Sequence, residues 1–503
     1  MKLSQVAFFS VVGMAATFGG VYGLTPAGGL RAEREVAAAP PEAPGDDDPT
    51  QGGSEPAESA SATFATGTSI KVEGRLGHSV LPAERPDETF LLLEVRGDDA
   101  AKGAAPKAAL ALVIDKSGSM TGTRIANAIS AATTAVDRLR DGDLVTVVAF
   151  DTRPEVVVPL TAISSSSRAS VATSIRGIRL GGDTCISCGM EEALVELRRS
   201  ASSGGGGDVV PRMLVLSDGD TNNGIRDIPG FKSLAQRATS AGVSVSTIGV
   251  DLEYNEKIMS AIAQAANGRH YFVENDRDLA RVFDSEAAAL TDTLASNVTA
   301  EIELQSGVEL VRVFDRTFGR SGTRVNVPLG SLSRGEVKTV LVKVRLSAQA
   351  PGTVPVARVR VDYRDVGLEK DASARGELAT ELASSPTQAS ALDGVVFDRV
   401  QRSETAAALR EANSLFSLGK TEDARRRLTT QQQALSEARN KAKATAPADR
   451  AKGVDASFEA QEREVTNSIQ NFASPPPAAG APSPKPVRSQ VKRNVEFSDQ
   501  STL

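Results

Sequence analysis

The chain has 503 residues and a formal net charge of −6, with 57 Lys and Arg interspersed among 63 Asp and Glu, which argues against nucleic acid as its main partner. Its apolar content of 40% suffices for two or three domains with sizeable cores. Aromatics at 4% and the lack of Trp mean that those cores are built from Val, Leu, Ile and Ala, which suits a parallel sheet covered by helices.

Residues 6–24 form an apolar run behind Met1 and Lys2. Residues 1–26 therefore read as a secretory signal, or as an uncleaved anchor, since the run approaches the length that spans a bilayer. Export to the periplasm, the cell envelope or the exterior is the expectation, with membrane anchoring through the N-terminal apolar segment as a variant of it. Residues 27–66, rich in Pro, Ala, Gly, Asp, Glu and Ser, read as a disordered linker. Within residues 67–100, two β-patterned runs at 69–76 and 89–95 flank a Pro-containing turn; they are too few to fold alone and are expected to pair with a later β domain.

From residue 106 to 292, apolar runs alternate with helix-patterned segments. The strand candidates are 110–114, 144–150, 213–216, 243–250 and 270–273. The helix candidates are 123–139, 167–175, 189–199, 231–241, 256–266 and 276–290. This alternation predicts βαβ units in a doubly wound, mainly parallel sheet, with helices on both faces and a loop-lined crevice at one edge. Residues 295–372 return to alternating strands and predict an antiparallel sandwich, which the 67–100 strands would complete, leaving the α/β unit as an insertion. Residues 387–472 are polar, Ala-rich and helical in period, with Gly419 ending one helix and Thr421 capping the next, so a helical hairpin is expected. Residues 474–503, with Pro475 to Pro477 and Lys485, Arg488, Lys492 and Arg493, read as a disordered Pro-rich basic tail.

One stretch dominates the chemistry. Asp115-Lys-Ser-Gly-Ser119 follows the apolar run 108–114 and sets one carboxylate and two hydroxyls at alternate positions where a buried strand becomes a loop. Such hard oxygens suit a hard divalent cation. A doubly wound sheet would return two more to the same edge: Thr184 in Gly181-Gly-Asp-Thr184, and Asp218 in Leu216-Ser-Asp-Gly219. Ser117, Ser119 and Thr184 would offer direct oxygens, while Asp115 and Asp218 would hold bound waters and balance charge. An ion so incompletely neutralised could accept an acidic side chain from elsewhere.

In these residues the chain resembles the von Willebrand factor type A (VWA) family, over about residues 108–290. The matching segments are Leu112-Val-Ile-Asp-Lys-Ser-Gly-Ser-Met120, Val145-Thr-Val-Val-Ala-Phe150, Gly182-Asp-Thr-Cys-Ile-Ser-Cys-Gly189, Leu214-Val-Leu-Ser-Asp-Gly219 and Ser246-Thr-Ile-Gly-Val250. The resemblance implies that the family's metal-ion-dependent adhesion site maps onto Asp115, Ser117, Ser119, Thr184 and Asp218. It further implies a bound magnesium, with manganese or calcium as alternatives, and a protein partner that offers an acidic side chain. Asp183 departs from the family, which often has a small residue there; it reads as a helix cap or a solvent-facing side chain.

The two cysteines, Cys185 and Cys188, follow Thr184 directly. They are expected to form a local disulfide after export or to be two inert buried thiols, while thiol–disulfide exchange is the sharper and less supported alternative. His270 reads as a structural histidine at a strand start, and Ser164 to Ser167 as a helix entry with hydroxyl capping. No catalytic set emerges. The expectation is a non-enzymatic, exported protein that binds a partner through a divalent cation; an envelope scaffold or assembly factor acting through its helical region is the alternative.

Overall fold

The computed structural model describes residues 61–65, 69–84, 88–101, 106–199, 209–274, 276–473 and 483–503. The expected signal at 1–26 and most of the 27–66 linker lie outside them. The end of that linker is a strand: β1 (Ser61–Ala65) pairs antiparallel with β2 (Ile70–Leu76). β3 (Val80–Pro82) follows, and then β4 (Glu88–Gly97), which pairs with β2.

An α/β domain comes next. Its elements are β5 (Lys107–Asp115), α1 (Thr123–Arg138), β6 (Leu144–Phe150), β7 (Pro154–Ala162), α2 (Ser165–Arg176), α3 (Ile186–Arg198), β8 (Val209–Ser217), α4 (Ile228–Ser240), β9 (Ser244–Val250), α5 (Glu256–Ala265), β10 (Asn267–Val273) and α6 (Asp276–Thr291). The strands lie in the order β10-β9-β8-β5-β6-β7, all parallel except β7, the antiparallel edge. Alternation along β5 explains the two-sided cover. Ala108, Leu110, Leu112 and Ile114 pack with α1, α2 and α6, whereas Ala109, Ala111 and Val113 pack with α3, α4 and α5. Both faces of a central parallel strand are buried, so its sequence is a continuous apolar run. At about 1.5–3 kcal/mol for each large aliphatic side chain removed from water, these layers supply most of the domain's driving force. Ser164 caps α2 in a reciprocal capping box with Ser167.

The chain then builds β11 (Thr293–Leu304), β12 (Val308–Val313), β13 (Gly319–Ser321), β14 (Arg324–Ser333), β15 (Val337–Leu346), β16 (Gly352–Asp365) and β17 (Lys370–Ala383). One sheet runs β1-β2-β4-β15-β12 and the other β13-β14-β11-β16-β17-β3. Their facing side chains form one core that includes Ile70, Leu91, Val95, Ile302, Val327, Val340, Val359 and Leu378. β4 pairs with β15 from Glu88↔Arg345 to Arg96↔Val337, so strands on either side of the α/β domain complete one sandwich. Buried Arg212 on β8 fastens the two bodies. It donates to Glu286 at 3.1 Å and to Ser331 of β14 at 3.2 Å, while the Tyr271 hydroxyl donates to Glu286 at 2.6 Å. The sandwich extends beyond the expected end at 372, because β17 is a full strand to Ala383.

Three helices follow over 387–472, where a hairpin was expected, namely α7 (Gly394–Ser417), α8 (Thr421–Thr445) and α9 (Ala451–Asn471), and a fourth, α10 (Lys485–Ser501), lies in the segment expected to be a tail. Val395, Val396 and Val400 of α7 cover Leu92 and Leu341 on the outer face of the β4/β15 sheet. The reading of 474–503 as a disordered tail is corrected over its second part, while 474–482 lie outside the described residues. Pro486 sits in the first turn of α10, where a missing N–H costs nothing. Val487, Val491 and Val495 recur every four residues; the first two pack into the helical core and the third is buried. The polar side chains of α10 are used as well: Lys492 bonds Glu256 and the Tyr254 carbonyl, and Ser489 and Arg493 bond Glu274. Among the described residues no helix is long and apolar enough to cross a membrane.

Candidate metal centre

The loops at the C-terminal ends of β5 and β8 converge at the end of the sheet remote from the entry of the chain into β5. Asp115, the last residue of β5, and Asp218, the first after β8, are both 0% exposed. Asp115 turns its loop: Oδ1 accepts from the Ser117 N–H at 2.8 Å, and Oδ2 accepts from the Ser217 hydroxyl at 2.6 Å. The Ser117 and Ser119 hydroxyl oxygens lie 3.0 Å apart, and Ser119 donates to Asp218 Oδ1 at 2.7 Å.

Thr184 arrives on the loop before α3. The Gly118 N–H donates to the Gly182 carbonyl at 3.1 Å and the Gly181 N–H to the Lys116 carbonyl at 2.7 Å, which laces this loop to the first. The Thr184 N–H donates to Asn222 Oδ1 at 2.8 Å, and its carbonyl accepts from the N–H groups of Asn222 and Asn223. Gly219 stands beside both hydroxyls: a Cβ there would lie 3.4 Å from Ser119 Oγ and from Thr184 Oγ1. All five residues singled out from sequence are thus drawn to one place. Asp183 beside them is exposed and accepts from Asn223 at 3.2 Å.

The two buried carboxylates differ in their partners: Asp115 meets the neutral Ser117 N–H and Ser217 hydroxyl, whereas Asp218 Oδ2 meets the Arg124 guanidinium at 2.8 Å. Burial pushes the Asp115 carboxyl up to about 6, and the neighbouring charge of Asp218 pushes the same way against the hydrogen bonds from Ser217 and Ser117. The donor set holds two carboxylates and three hydroxyls, which is hard-oxygen chemistry. Among the described residues no group of three or more His, Cys, Asp and Glu side chains is arranged to hold a metal ion.

Two further charged residues belong to this site and escaped the sequence reading. Arg124 Nη1 donates to Asp218 Oδ2 at 2.8 Å and to the Ser119 carbonyl at 2.8 Å, while Nε and Nη2 donate to Asp251 Oδ2 at 3.1 and 2.5 Å. A signal existed: Arg124 is in the first turn of α1, where the helix dipole disfavours a cation.

Cys185 and Cys188 form a disulfide across the first turn of α3. Cys185 is 0% exposed, so it does not present the accessible thiolate that disulfide exchange requires. The pair packs beneath the 221–225 loop, where a Cβ on Gly224 would come within 2.6 Å of Cys185 Sγ, and the Ile225 N–H donates to the Ser187 hydroxyl at 3.0 Å. His270 lies within the core between the Thr247 and Tyr254 hydroxyls, away from the site, and burial lowers its pKa to about 3.

Comparison with known proteins places this geometry. Residues 109–285 match the model of the von Willebrand factor type A domain. The chain is 28% identical over 272 residues to YfbK of Escherichia coli (strain K12), covering 52% of this chain and 46% of that protein. It is 26% identical over 266 residues to sll0103 of Synechocystis, covering 51% and 61%. Both are described as uncharacterized, and the match spans about half the length of each protein. Among solved structures, a von Willebrand factor type A protein from Catenulispora acidiphila superposes with a TM-score of 0.65 at 17% identity, over 86% of this chain and 97% of that one. The ArnB paralog VWA2 from Sulfolobus acidocaldarius gives 0.53 at 17% identity, over 86% and 99%. The shared fold therefore extends well beyond the α/β domain. A domain of this type supports, in general terms, a role in protein–protein interaction of the adhesion kind. Residues 109–285 of this chain are therefore a von Willebrand factor type A domain.

Proposed function

We propose that this protein is a non-enzymatic, exported binding protein whose A domain docks an acidic side chain of a protein partner through a divalent cation. The carrying observation is the pair of fully buried carboxylates, Asp115 and Asp218, joined through Ser119 to a second hydroxyl 3.0 Å away. The donors fit the ion. Magnesium bonds of about 2.0–2.1 Å in octahedral geometry put adjacent ligand oxygens about 3.0 Å apart, the spacing between Ser117 Oγ and Ser119 Oγ. Ser117, Ser119 and Thr184 would hold the ion directly, with Asp115 and Asp218 balancing its charge through water; manganese or calcium would use the same oxygens. When bound, the ion supplies a Lewis-acidic position open to a carboxylate from outside.

The chain's own residues do the rest. Asp115 orients the Ser117 turn, Ser217 and Ser119 hold the two carboxylates in place, and Asn222 with the Thr184 backbone fixes the third loop. Export is supported by the apolar run at residues 6–24 and by the oxidised Cys185–Cys188 pair. A pulldown from native envelope with and without chelator tests the reading, with Asp115→Ala as control. The partner is expected only from the wild-type chain in the presence of the cation; capture of the same protein under both conditions would refute the metal bridge.

A further inference from the structure

Arg124 brings a cation of the chain's own to a site that we read as built for a metal ion. Four of its five guanidinium N–H groups are engaged: two on Nη1, with Asp218 Oδ2 and the Ser119 carbonyl, and the Nε and one Nη2 hydrogen with Asp251 Oδ2. The two anchors differ. The Asp218 side chain is 0% exposed, whereas that of Asp251 is 38% exposed at the rim. Asp251 has a left-handed backbone (φ 63°) fixed by its N–H to the Val273 carbonyl at 2.9 Å. Its Oδ1 also accepts from the Leu252 N–H at 2.8 Å, so this anchor stays where it is. The position of Arg124 in the first turn of α1 works against the helix dipole and so gives the helix nothing. What the guanidinium serves is the pair of carboxylates.

We propose that Arg124 is a tethered counter-ion that competes with the divalent cation for Asp218. With its guanidinium on Asp218 Oδ2, one of the two buried charges is neutralised and the 116–120 and 218–222 loops are held together without an ion. Entry of a divalent cation places two positive centres on the same carboxylate, and their repulsion lowers the ion's affinity. The Nη1 contacts are the ones to break, because Nε and Nη2 keep the guanidinium on Asp251 while it swings off Asp218. Asp251 is thereby the parking place that makes ion binding reversible. This regulation rests on the reading of the five oxygens as a cation site.

The test is calorimetric titration of the chelator-treated full chain with MgCl2, alongside thermal unfolding with and without the ion. Arg124→Ala and the hydrogen-bonding but uncharged Arg124→Gln are expected to bind Mg2+ about tenfold more tightly than wild type, as removal of one nearby charge requires. Both should melt lower in chelator and recover with Mg2+. Asp251→Asn, which loosens the parking place, is expected to bind Mg2+ several-fold more weakly. Opposite shifts from the two sides of one ion pair are a result that simple structural damage, which weakens both, would not produce. Ion binding by Arg124→Ala and Arg124→Gln where wild type shows none would support the proposal in its strongest form. Wild-type affinity in both Arg124 variants, or weaker binding in both, would overturn it and leave the cation site standing. No Mg2+ binding by any of the proteins would overturn the proposal and the cation site together.

Discussion

An Asp115→Asn substitution keeps the shape of the side chain and removes its charge. The Asn oxygen can still accept from the Ser117 N–H, and its amide nitrogen faces the Ser217 hydroxyl, which can turn to accept. Both hydrogen bonds survive in number. The electrostatics change sides, because burial and the charge of Asp218 raise the Asp115 carboxyl from its ordinary 3.8 to about 6. A carboxyl whose folded pKa lies above its unfolded one favours the folded state at low pH, and that contribution is lost as pH rises through about 6. Above that pH the ionised group costs the metal-free protein about 3 kcal/mol, the equivalent of the rise from 3.8 to about 6. The variant should therefore be more stable than wild type in chelator at pH 7.5, by about 2–3 kcal/mol once an imperfect amide fit is allowed for. Its advantage should shrink to a small fraction of that near pH 4. Added Mg2+ should reverse the ranking: wild type gains about 2.7 kcal/mol at a hundred times its dissociation constant, and the variant gains almost nothing. Urea unfolding in chelator and in Mg2+ measures all four quantities. A variant less stable than wild type in chelator at pH 7.5, or an equal Mg2+ response in both proteins, would refute this reasoning.

Gly189→Ala should destabilise the A domain by about 1–3 kcal/mol although Ala is the better helix former, since the added Cβ would lie 2.7 Å from Phe150 Cδ1 and 2.9 Å from Val113 Cγ1. A melting temperature at or above that of wild type would show that α3 can back away from the sheet. Cys188→Ser should lose about 2 kcal/mol, the loop-closure contribution of so short a ring. Wild type in excess reductant should then unfold at the same urea concentration as the variant. Glu496 on α10 is raised to about 7 by burial, so its contribution to stability falls as pH rises from 4.5 through about 7. Glu496→Gln should slow amide hydrogen exchange across residues 485–501 at pH 8 and leave it unchanged near pH 4; faster exchange at pH 8 would contradict the assignment.

The convergence of the five oxygen-bearing residues was legible in the sequence because they sit at fixed offsets from strand ends. Ile114 and Leu216 finish apolar runs, and the topology of a doubly wound sheet then dictates where the Asp115, Thr184 and Asp218 loops go. Arg124 and Asp251 were not legible, since their meeting depends on a pairing across 127 positions and on the left-handed turn at Asp251. β17 escaped for a different reason. Its sequence, Lys-Asp-Ala-Ser-Ala-Arg-Gly-Glu-Leu-Ala-Thr-Glu-Leu-Ala, has no Val, Ile or aromatic residue, and pairing with β16 on one side and β3 on the other overrides that weak propensity. α10 was hidden by its neighbours: a Pro-rich stretch and a run of basic residues masked a stripe of three valines. Its polar residues, which suggested solvent, instead bind the α/β domain through Glu256 and Glu274.

The most direct measurement is calorimetric titration of Mg2+ into the chelator-treated full chain, run beside a Ser117→Ala/Ser119→Ala variant that keeps both carboxylates and Arg124. The account predicts one ion per wild-type chain and no measurable binding by the variant, with both proteins folded by circular dichroism. Equal binding by the two proteins, or none by wild type and by Arg124→Gln alike, would contradict it.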